Sequence, residues 1–293
     1  MVIDVKKMRD FKEKLMKTIF LICGAVSILA VLLICIFLFS NGIPAIFDIG
    51  VKDFLLGKIW QPSNNIYGIY PMIIGSLYVT AGAIVVGVPI GILCAIFLAK
   101  YCPEKLYKII KPSIDLMAGI PSIVYGFFGL MVIVPLMMEL YGGSGKSVLT
   151  ASILLGIMIL PTIINVSEAA LRAVPSSYYE GALALGATHE KSIFFVVLPA
   201  AKSGILAAII LGVGRAIGET MAVIMIAGNQ PVVPESIHKG VRTMTANIVI
   251  EMGYAADLHR EALIATGVVL FVFILIINLS FSLLKGRNKA WKK

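Results

Sequence analysis

Six apolar runs divide the chain, each long enough to cross a hydrocarbon core of about 30 Å at about 1.5 Å of rise per residue. They fall at Ile19–Phe39, Met72–Ala99, Ser113–Met138, Val148–Ala170, Ala200–Ala227 and Ala262–Leu284. Several carry proline or glycine, which membrane helices tolerate where neighbours satisfy the freed backbone groups. The expected fold class is all-α, a polytopic membrane protein with six transmembrane helices. A basic segment precedes the first run and no clear small-residue cleavage site follows it, so that run is expected to be retained as an anchor. Between the second and third runs, Pro103–Ile110 is expected to form a short surface helix with Pro103 at its first position. Two segments on the opposite side are longer than turns. Ser40–Pro71 contains the aromatic, turn-rich WQPSNNIYGIYP, and Gly228–Glu261 holds a stretch around Thr245–Met252 apolar enough to re-enter the bundle. Residues 1–71 read as an addition to a five-helix core over 72–284, followed by a basic tail at 285–293.

Composition agrees with this class, since the chain is 59% hydrophobic and 14% charged. Its formal charge of +9 could point to nucleic acid, so the distribution decides. Lys6, Lys7, Arg9, Lys12, Lys14, Lys17, Lys100, Lys105, Lys108, Lys111, Arg172, Lys191, Lys202, Lys285, Arg287, Lys289, Lys292 and Lys293 all fall on one side. Only Lys52, Lys58, Lys146, Lys239, Arg242 and Arg260 fall on the other. An excess of eighteen to six places both termini in the cytoplasm, N-in and C-in. Topology accounts for most of the charge. The partner it implies is membrane lipid, and no nucleic acid is needed. Cys23, Cys35, Cys94 and Cys102 lie in or beside apolar runs without metal-ligand spacing and read as small buried residues.

The most polar interruption of the core is Ser177–Pro199, between the fourth and fifth runs on the cytoplasmic side. Ser177 and Glu180 have capping-box spacing, which predicts a helix from Tyr178. Gly186 is the expected stop, Thr188 the cap of a second short helix, and Pro199 its end or a kink. The product is a helix–turn–helix bump at the mouth of the bundle.

Inside the fifth run lie Arg215 and Glu219, with Thr220 beside them. A charge at mid-bilayer costs on the order of 2.5–3.5 kcal/mol on insertion scales, so such residues carry either a structural ion pair or a pathway. Four residues apart on a continuous helix, the two share a face and can pair. In the pathway reading, Arg215 offers a planar, permanently charged fork to an oxyanion, and Glu219 holds it in the meantime. Gly142–Ser147 ends like a phosphate-binding loop, but Leu140 stands where that motif needs glycine, so it reads as a flexible turn. His189, His238 and His259 are far apart on aqueous segments and read as solvated, with no metal site. No nucleophile, base and orienting partner occur together, so the chain is not expected to be an enzyme.

The bump resembles the EAA loop of the permease subunits of bacterial ABC importers, with pattern E-A-A, three residues, G, nine residues, I-x-L-P. Glu180, Ala182, Gly186, Leu198 and Pro199 match, while Gly181 and Val196 depart from it. WQPSNNIYGIYPMIIGSLYVT, LMAGIPSIVYGFFGL, GRAIGETMAVIMIAGN and VRTMTANIVIEMGYA resemble the PstC-type permeases of phosphate-specific ABC importers, a binding-protein-dependent transport family. The resemblance implies an ABC-importer permease fold in a bacterial or archaeal cell membrane. It implies that Glu180, Gly181, Ala182, Gly186, Leu198 and Pro199 couple to an ATPase, and that Arg215, Glu219 and Thr220 serve phosphate passage. The implied partners are a PstA-type permease, two PstB-type ATPase subunits carrying ATP and Mg, and a PstS-type extracytoplasmic phosphate-binding protein; no cofactor sits on this chain. A partner-permease role, or sulfate or molybdate as cargo, shares the same loop. A secondary transporter would instead need a repeat, and a channel a filter loop.

Overall fold

Lipid offers no water to an unpaired backbone group, so a membrane chain must make its own hydrogen bonds. A computed structural model describes the backbone of residues 2–287 and the side chains of residues 12–280, and it meets this demand with helices. In order they are α1 (Val2–Ile49), α2 (Val51–Leu56), α3 (Tyr70–Ile96), α4 (Glu104–Gly119), α5 (Ser122–Phe128), α6 (Val134–Tyr141) and α7 (Val148–Arg172). Then follow α8 (Ser176–Ala184), α9 (His189–Ser192), α10 (Leu198–Ala200), α11 (Lys202–Gly218), α12 (Met221–Ile226), α13 (Met244–Met252) and α14 (Asp257–Arg287). A two-stranded antiparallel hairpin, β1 (Trp60–Gln61) and β2 (Ile66–Tyr67), is the one sheet among the described residues. Among the described residues, five helical stretches are long and apolar enough to cross a bilayer: Lys12–Ile49, Tyr70–Tyr101, Ser122–Tyr141, Val148–Arg172 and Asp257–Ser280. The pair His189–Ala200 and Lys202–Gly218, bent by 69°, makes six when counted as one broken span. The side chains of Lys6, Lys7, Arg9, the end of the sixth expected run and the basic tail 285–293 lie outside the described residues.

The core is built around α7, whose apolar window is two-thirds buried, the largest share of any span. Helices in lipid gain little from burying oil in oil, so contact depends on close packing, and small residues permit it. A Cβ on Gly82 of α3 would fall 2.2 Å from Ser152 Oγ, and one on Gly87 would fall 2.8 Å from the Gly156 carbonyl. From the other side, a Cβ on Gly204 of α11 would meet the Ala170 methyl at 2.3 Å. Leu154, Leu155, Met158, Ile159 and Ile163 fill what remains and are at most 2% exposed. By contrast, α1 lies at the edge. Its described stretch before Cys35 is exposed, and it reaches the bundle near its end, where Gly42 abuts Val268 and the Phe39 ring meets Phe271 edge-on at 5.6 Å.

Two expected runs are not continuous helices. The third breaks at Ile120–Pro121, so its crossing is Ser122–Tyr141. Proline disfavours the helical region for the residue before it, and Ile120 is extended at φ −69°, ψ 126°. The expected surface helix is correspondingly longer. It runs from Glu104 to Gly119 through Pro112, and Tyr107, Ile110 and Ile114 pack with Leu98, Leu160 and Ile164 along the cytoplasmic half of α7. Pro112 is exposed there, as is Lys108, whose carbonyl it leaves unbonded, so water can serve that group. The fifth run breaks between Gly218 and Met221.

Three π-helical turns, at Phe97–Tyr101, Gly129–Ile133 and Ile193–Val197, share one cause. Each ends two residues before a proline: Pro103, Pro135 and Pro199. The residue before each proline donates its N–H five residues back, from Cys102 to Phe97, Val134 to Gly129 and Leu198 to Ile193. Widening the turn makes room for the proline ring and keeps bonds that a kink would lose. On the outer side α13 does re-enter, capped by Thr243 Oγ1 on the Ala246 N–H at 3.2 Å. Thr245, Ala246 and Asn247 in it are buried.

Gly87→Val tests the α3–α7 approach. It is expected to destabilise the protein by about 1–3 kcal/mol, read as a lower unfolding temperature in detergent, whereas Gly181→Val, whose Cβ would meet nothing within 4 Å, should leave it unchanged.

Candidate functional site

The cytoplasmic bump forms as two short helices with a defined turn. Its first helix starts at Ser176 behind Pro175, so Ser177 lies inside it and makes no cap, contrary to the capping-box expectation. A proline just ahead of the first turn, with its fixed φ, starts the helix without a side-chain cap. Gly186 adopts φ +82°, and two hydrogen bonds close the end: Ala187 N–H to Ala182 O at 3.0 Å and Gly186 N–H to Leu183 O at 2.9 Å. This is a Schellman turn, which needs a residue free of a Cβ at that point. Thr188 Oγ1 accepts from the Lys191 N–H and caps α9. Glu190, exposed in that first turn, is held below the usual carboxylate range by its own amide N–H and by Thr188. Tyr179 Oη bonds His189 Nδ1 at 2.7 Å and ties α8 to α9, while the Tyr101 ring packs edge-on against His189 at 4.8 Å. His189 is therefore a joint and not a solvated surface residue.

The two faces of the bump differ. Ile193 and Val197 are buried with Ala95, Ile96 and Leu171, which anchors it to α3 and α7. Leu185 is 91% exposed and Phe195 77%, with Tyr178 and Phe194 also exposed. Of the coupling residues, Glu180, Gly181, Gly186 and Pro199 are exposed, and Ala182 and Leu198 are half-buried. An apolar knob held rigid on a cytoplasmic loop has the character of a docking surface. The 69° bend that follows it, at Ala201, passes directly into α11.

Arg215, Glu219 and Thr220 lie together at the far end of α11, all half-buried. The i, i+4 pair expected between Arg215 and Glu219 is not formed. Helix α11 ends at Gly218, and Glu219 is extended at φ −69°, ψ 132°. Its Oε1 accepts instead from the N–H groups of Thr220 at 3.1 Å and Ala222 at 3.2 Å, satisfying donors at the start of α12 that have no helical partner. Its carbonyl accepts from Thr245 Oγ1 at 3.0 Å, which fastens the break to re-entrant α13. Arg215 Nη1 reaches only Thr162 Oγ1, at 3.4 Å, and has no carboxylate within 4 Å among the described residues.

This break has a counterpart. Gly119–Ile120–Pro121 and Gly218–Glu219–Thr220 have nearly the same backbone at the middle residue, and at both its N–H reaches back three residues at 3.4 Å. The short helices beyond them, α5 and α12, pack side by side, since a Cβ on Gly126 would fall 2.9 Å from Ala222 Cα. Tyr125 Oη donates to the Met117 carbonyl at 3.0 Å, one of the groups opened by the first break.

On the outer side, a buried carboxylate organises residues from three segments. Glu251, 6% exposed, takes Arg242 Nη1 on Oε1, and Trp60 Nε1 at 2.8 Å and His259 Nε2 at 2.9 Å on Oε2. Arg242 also donates to Asn247 Oδ1 at 3.0 Å and to the Asn229 carbonyl at 2.9 Å. His259 is thus enclosed by Trp60, Tyr67 and Tyr254, a second correction to the solvated reading. Burial and the Glu251 charge push the Tyr254 phenol up. A cleft of about 560 Å³ opens here, lined by Tyr67, Glu251, Tyr254, Asp257 and His259 among others. Sequence reasoning missed this cluster because its members are distant in the chain, Trp60 and Glu251 alone being 191 residues apart. The available signal was a glutamate in an otherwise apolar helical stretch, nine residues after an arginine.

The binding-protein-dependent transport system inner membrane component family matches residues 87–289. A probable ABC transporter permease protein of Bacillus subtilis (strain 168), YqgH, is 37% identical over 98% of this chain and 96% of its own length. The phosphate transport system permease protein PstC of Mesorhizobium japonicum is 34% identical over 83% of this chain and 81% of its own. Among solved structures, an inward-facing methionine ABC transporter, MetNI, superposes with a TM-score of 0.59 at 19% identity, covering 78% of this chain and 99% of that one. This last likeness concerns the fold.

Removing one partner of the outer cluster leaves a buried charge unpaired. Glu251→Ala is expected to cost about 3–5 kcal/mol, measured as a fall in the unfolding temperature of the purified protein; an unchanged midpoint would refute a stabilising role for this cluster.

Proposed function

Because the chain belongs to the binding-protein-dependent transport system inner membrane component family, we propose that the cargo of its ABC importer is inorganic phosphate, drawn from outside into the cytoplasm. The chain is a multi-pass permease subunit and not an enzyme; proteins of this kind work with ATPase subunits and a substrate-binding protein. The observation that carries the cargo reading is Arg215, a permanently charged fork in a broken span with no carboxylate within 4 Å among the described residues. A fork of this geometry matches two oxygens of a tetrahedral oxyanion. Glu219 stays on the backbone of α12 and so leaves the guanidinium free; Thr220, whose hydroxyl bonds the Gly218 carbonyl at 3.2 Å, shapes the break beside it. The phosphate permeases among the relatives support the choice of anion.

The working complex in this reading pairs the chain with a PstA-type permease, two PstB-type ATPases below and a PstS-type phosphate-binding protein outside. ATP and Mg are bound by the ATPases alone. The exposed apolar face formed by α8, its C-terminal Leu185 and the π turn at Ile193–Val197 sits in an ATPase groove, with Glu180, Gly181, Ala182 and Gly186 in the knob and Leu198 and Pro199 at its root. Closure of the ATPases pushes the knob, and the bend at Ala201 turns that push into a tilt of α11. The tilt moves Arg215 relative to the break at Glu219, and access alternates. No step requires the chain to make or break a covalent bond.

The complex, reconstituted in liposomes with its partner subunits, is expected to take up radiolabelled phosphate on addition of ATP, against excess sulfate and molybdate. Arg215→Gln should reduce uptake by at least about tenfold with assembly intact, as expected for loss of a charge-assisted contact of about 1.5–3 kcal/mol. Uptake by that variant at the wild-type rate would remove Arg215 from the path, and sulfate or molybdate outcompeting phosphate would change the cargo. Gly186→Val forces a β-branched residue to φ +82°, at a cost of about 1–2 kcal/mol. It should abolish ATP-driven uptake while the chain still inserts, and normal uptake would sink the coupling role.

A further inference from the structure

Below Arg215 a polar track continues to the cytoplasmic end of α7 without interruption. Thr162, Asn165 and Glu168 follow one another at three-residue spacing, over about 9 Å of helix axis. Asn165 Nδ2 donates to Asp115 Oδ1 at 2.8 Å. Lys111 Nζ donates to Asn165 Oδ1 at 2.8 Å and to Glu168 Oε2 at 2.9 Å, and stands 3.9 Å from Asp115 Oδ1. Glu168 in turn accepts from Tyr107 Oη and from Arg172 Nε, each at 2.8 Å. Hydrogen bonds and adjacent turns thus lead from a mid-span guanidinium to an ammonium and then to the segment that carries the bump.

We propose that Lys111, with Asn165 and Asp115, is a second, weaker oxyanion station on the cytoplasmic half of the path, one that receives phosphate from Arg215 and releases it inward. The inference rests on the cargo reading above. Two observations favour a station over a plain structural pair. First, the Lys111 side chain is 24% exposed and the Asp115 side chain 50%, so the cluster opens on one side, while Glu168 behind it is 3% exposed. Second, the charges are graded. Arg215 has no counter-charge within 4 Å among the described residues, whereas Lys111 and Arg172 are matched by Glu168 and Asp115. A neutralised cation holds an anion loosely, and conduction needs sites weak enough to leave. An arriving phosphate replaces Asn165 and Asp115 on Lys111 Nζ, while Glu168 keeps the ammonium in place. Asp115, pushed back, then opposes a long stay.

The reconstituted complex tests this with four variants. Lys111→Gln is expected to lower the maximal uptake rate about tenfold, and Lys111→Arg to keep it within about twofold, in line with a charge-assisted contact. Lys111→Gln combined with Glu168→Gln restores charge balance, so a purely structural pair would be rescued; the station stays lost. Asp115→Asn, at a half-exposed position, removes the opposing charge. Inorganic phosphate on the cytoplasmic side should then inhibit uptake at about fivefold lower concentration. Rescue by the double variant, or unchanged phosphate inhibition in Asp115→Asn, overturns the station. A wild-type complex that hydrolyses ATP yet moves no phosphate overturns the cargo reading and the station with it.

Discussion

Everything in this bundle depends on how closely helices can approach α7. In water, apolar faces are driven together; in lipid that drive is absent, and dispersion at short range has to replace it. Gly82 and Gly87 on α3, Gly156 on α7 and Gly204 on α11 give up side chains at the contacts, so each backbone lies directly against the neighbouring helix. The consequence is a closely packed slab of three helices, with α7 two-thirds buried at its centre. Against that slab the more irregular elements are placed: the bump at one end, and the paired breaks and re-entrant α13 towards the other.

The slab also explains where polar groups can be tolerated. Glu168 is nearly buried at the cytoplasmic end of α7, and Glu251 is nearly buried on the outer side; each is surrounded by donors from other elements. Both act as clamps at the ends of the bundle. Between them the chain carries Arg215 without such a clamp. A half-buried cation is costly unless something answers it, and among the described residues only the Thr162 hydroxyl does.

The spans, the side facing the cytoplasm, the Gly186 turn and the Thr188 cap were legible in the sequence, because each rests on local rules of length, charge and backbone conformation. The breaks at Ile120 and Glu219 were not. Apolar runs give no periodic signal where a helix ends inside lipid, although Pro121 and the glycines at 119 and 218 mark the places. Treating Arg215 and Glu219 as one helix face failed for that reason: the i, i+4 rule assumes a helix that Gly218 terminates. His259, Trp60 and Glu251 come together only through tertiary folding, and no local rule joins residues so far apart.

The three π turns have a further meaning for how such a chain can change over time. Each uses one residue more than an α-turn in the same place, at Phe97–Tyr101, Gly129–Ile133 and Ile193–Val197. A single inserted residue in an ordinary span rotates everything after it by about 100° and turns a lipid-facing side chain inward. At Gly129–Ile133, where a helix continues on both sides, the π turn absorbs that extra residue locally and returns the helix to phase. Spans built this way can gain or lose one residue without exchanging their inner and outer faces, so length in the membrane is less fixed than the bilayer alone would require.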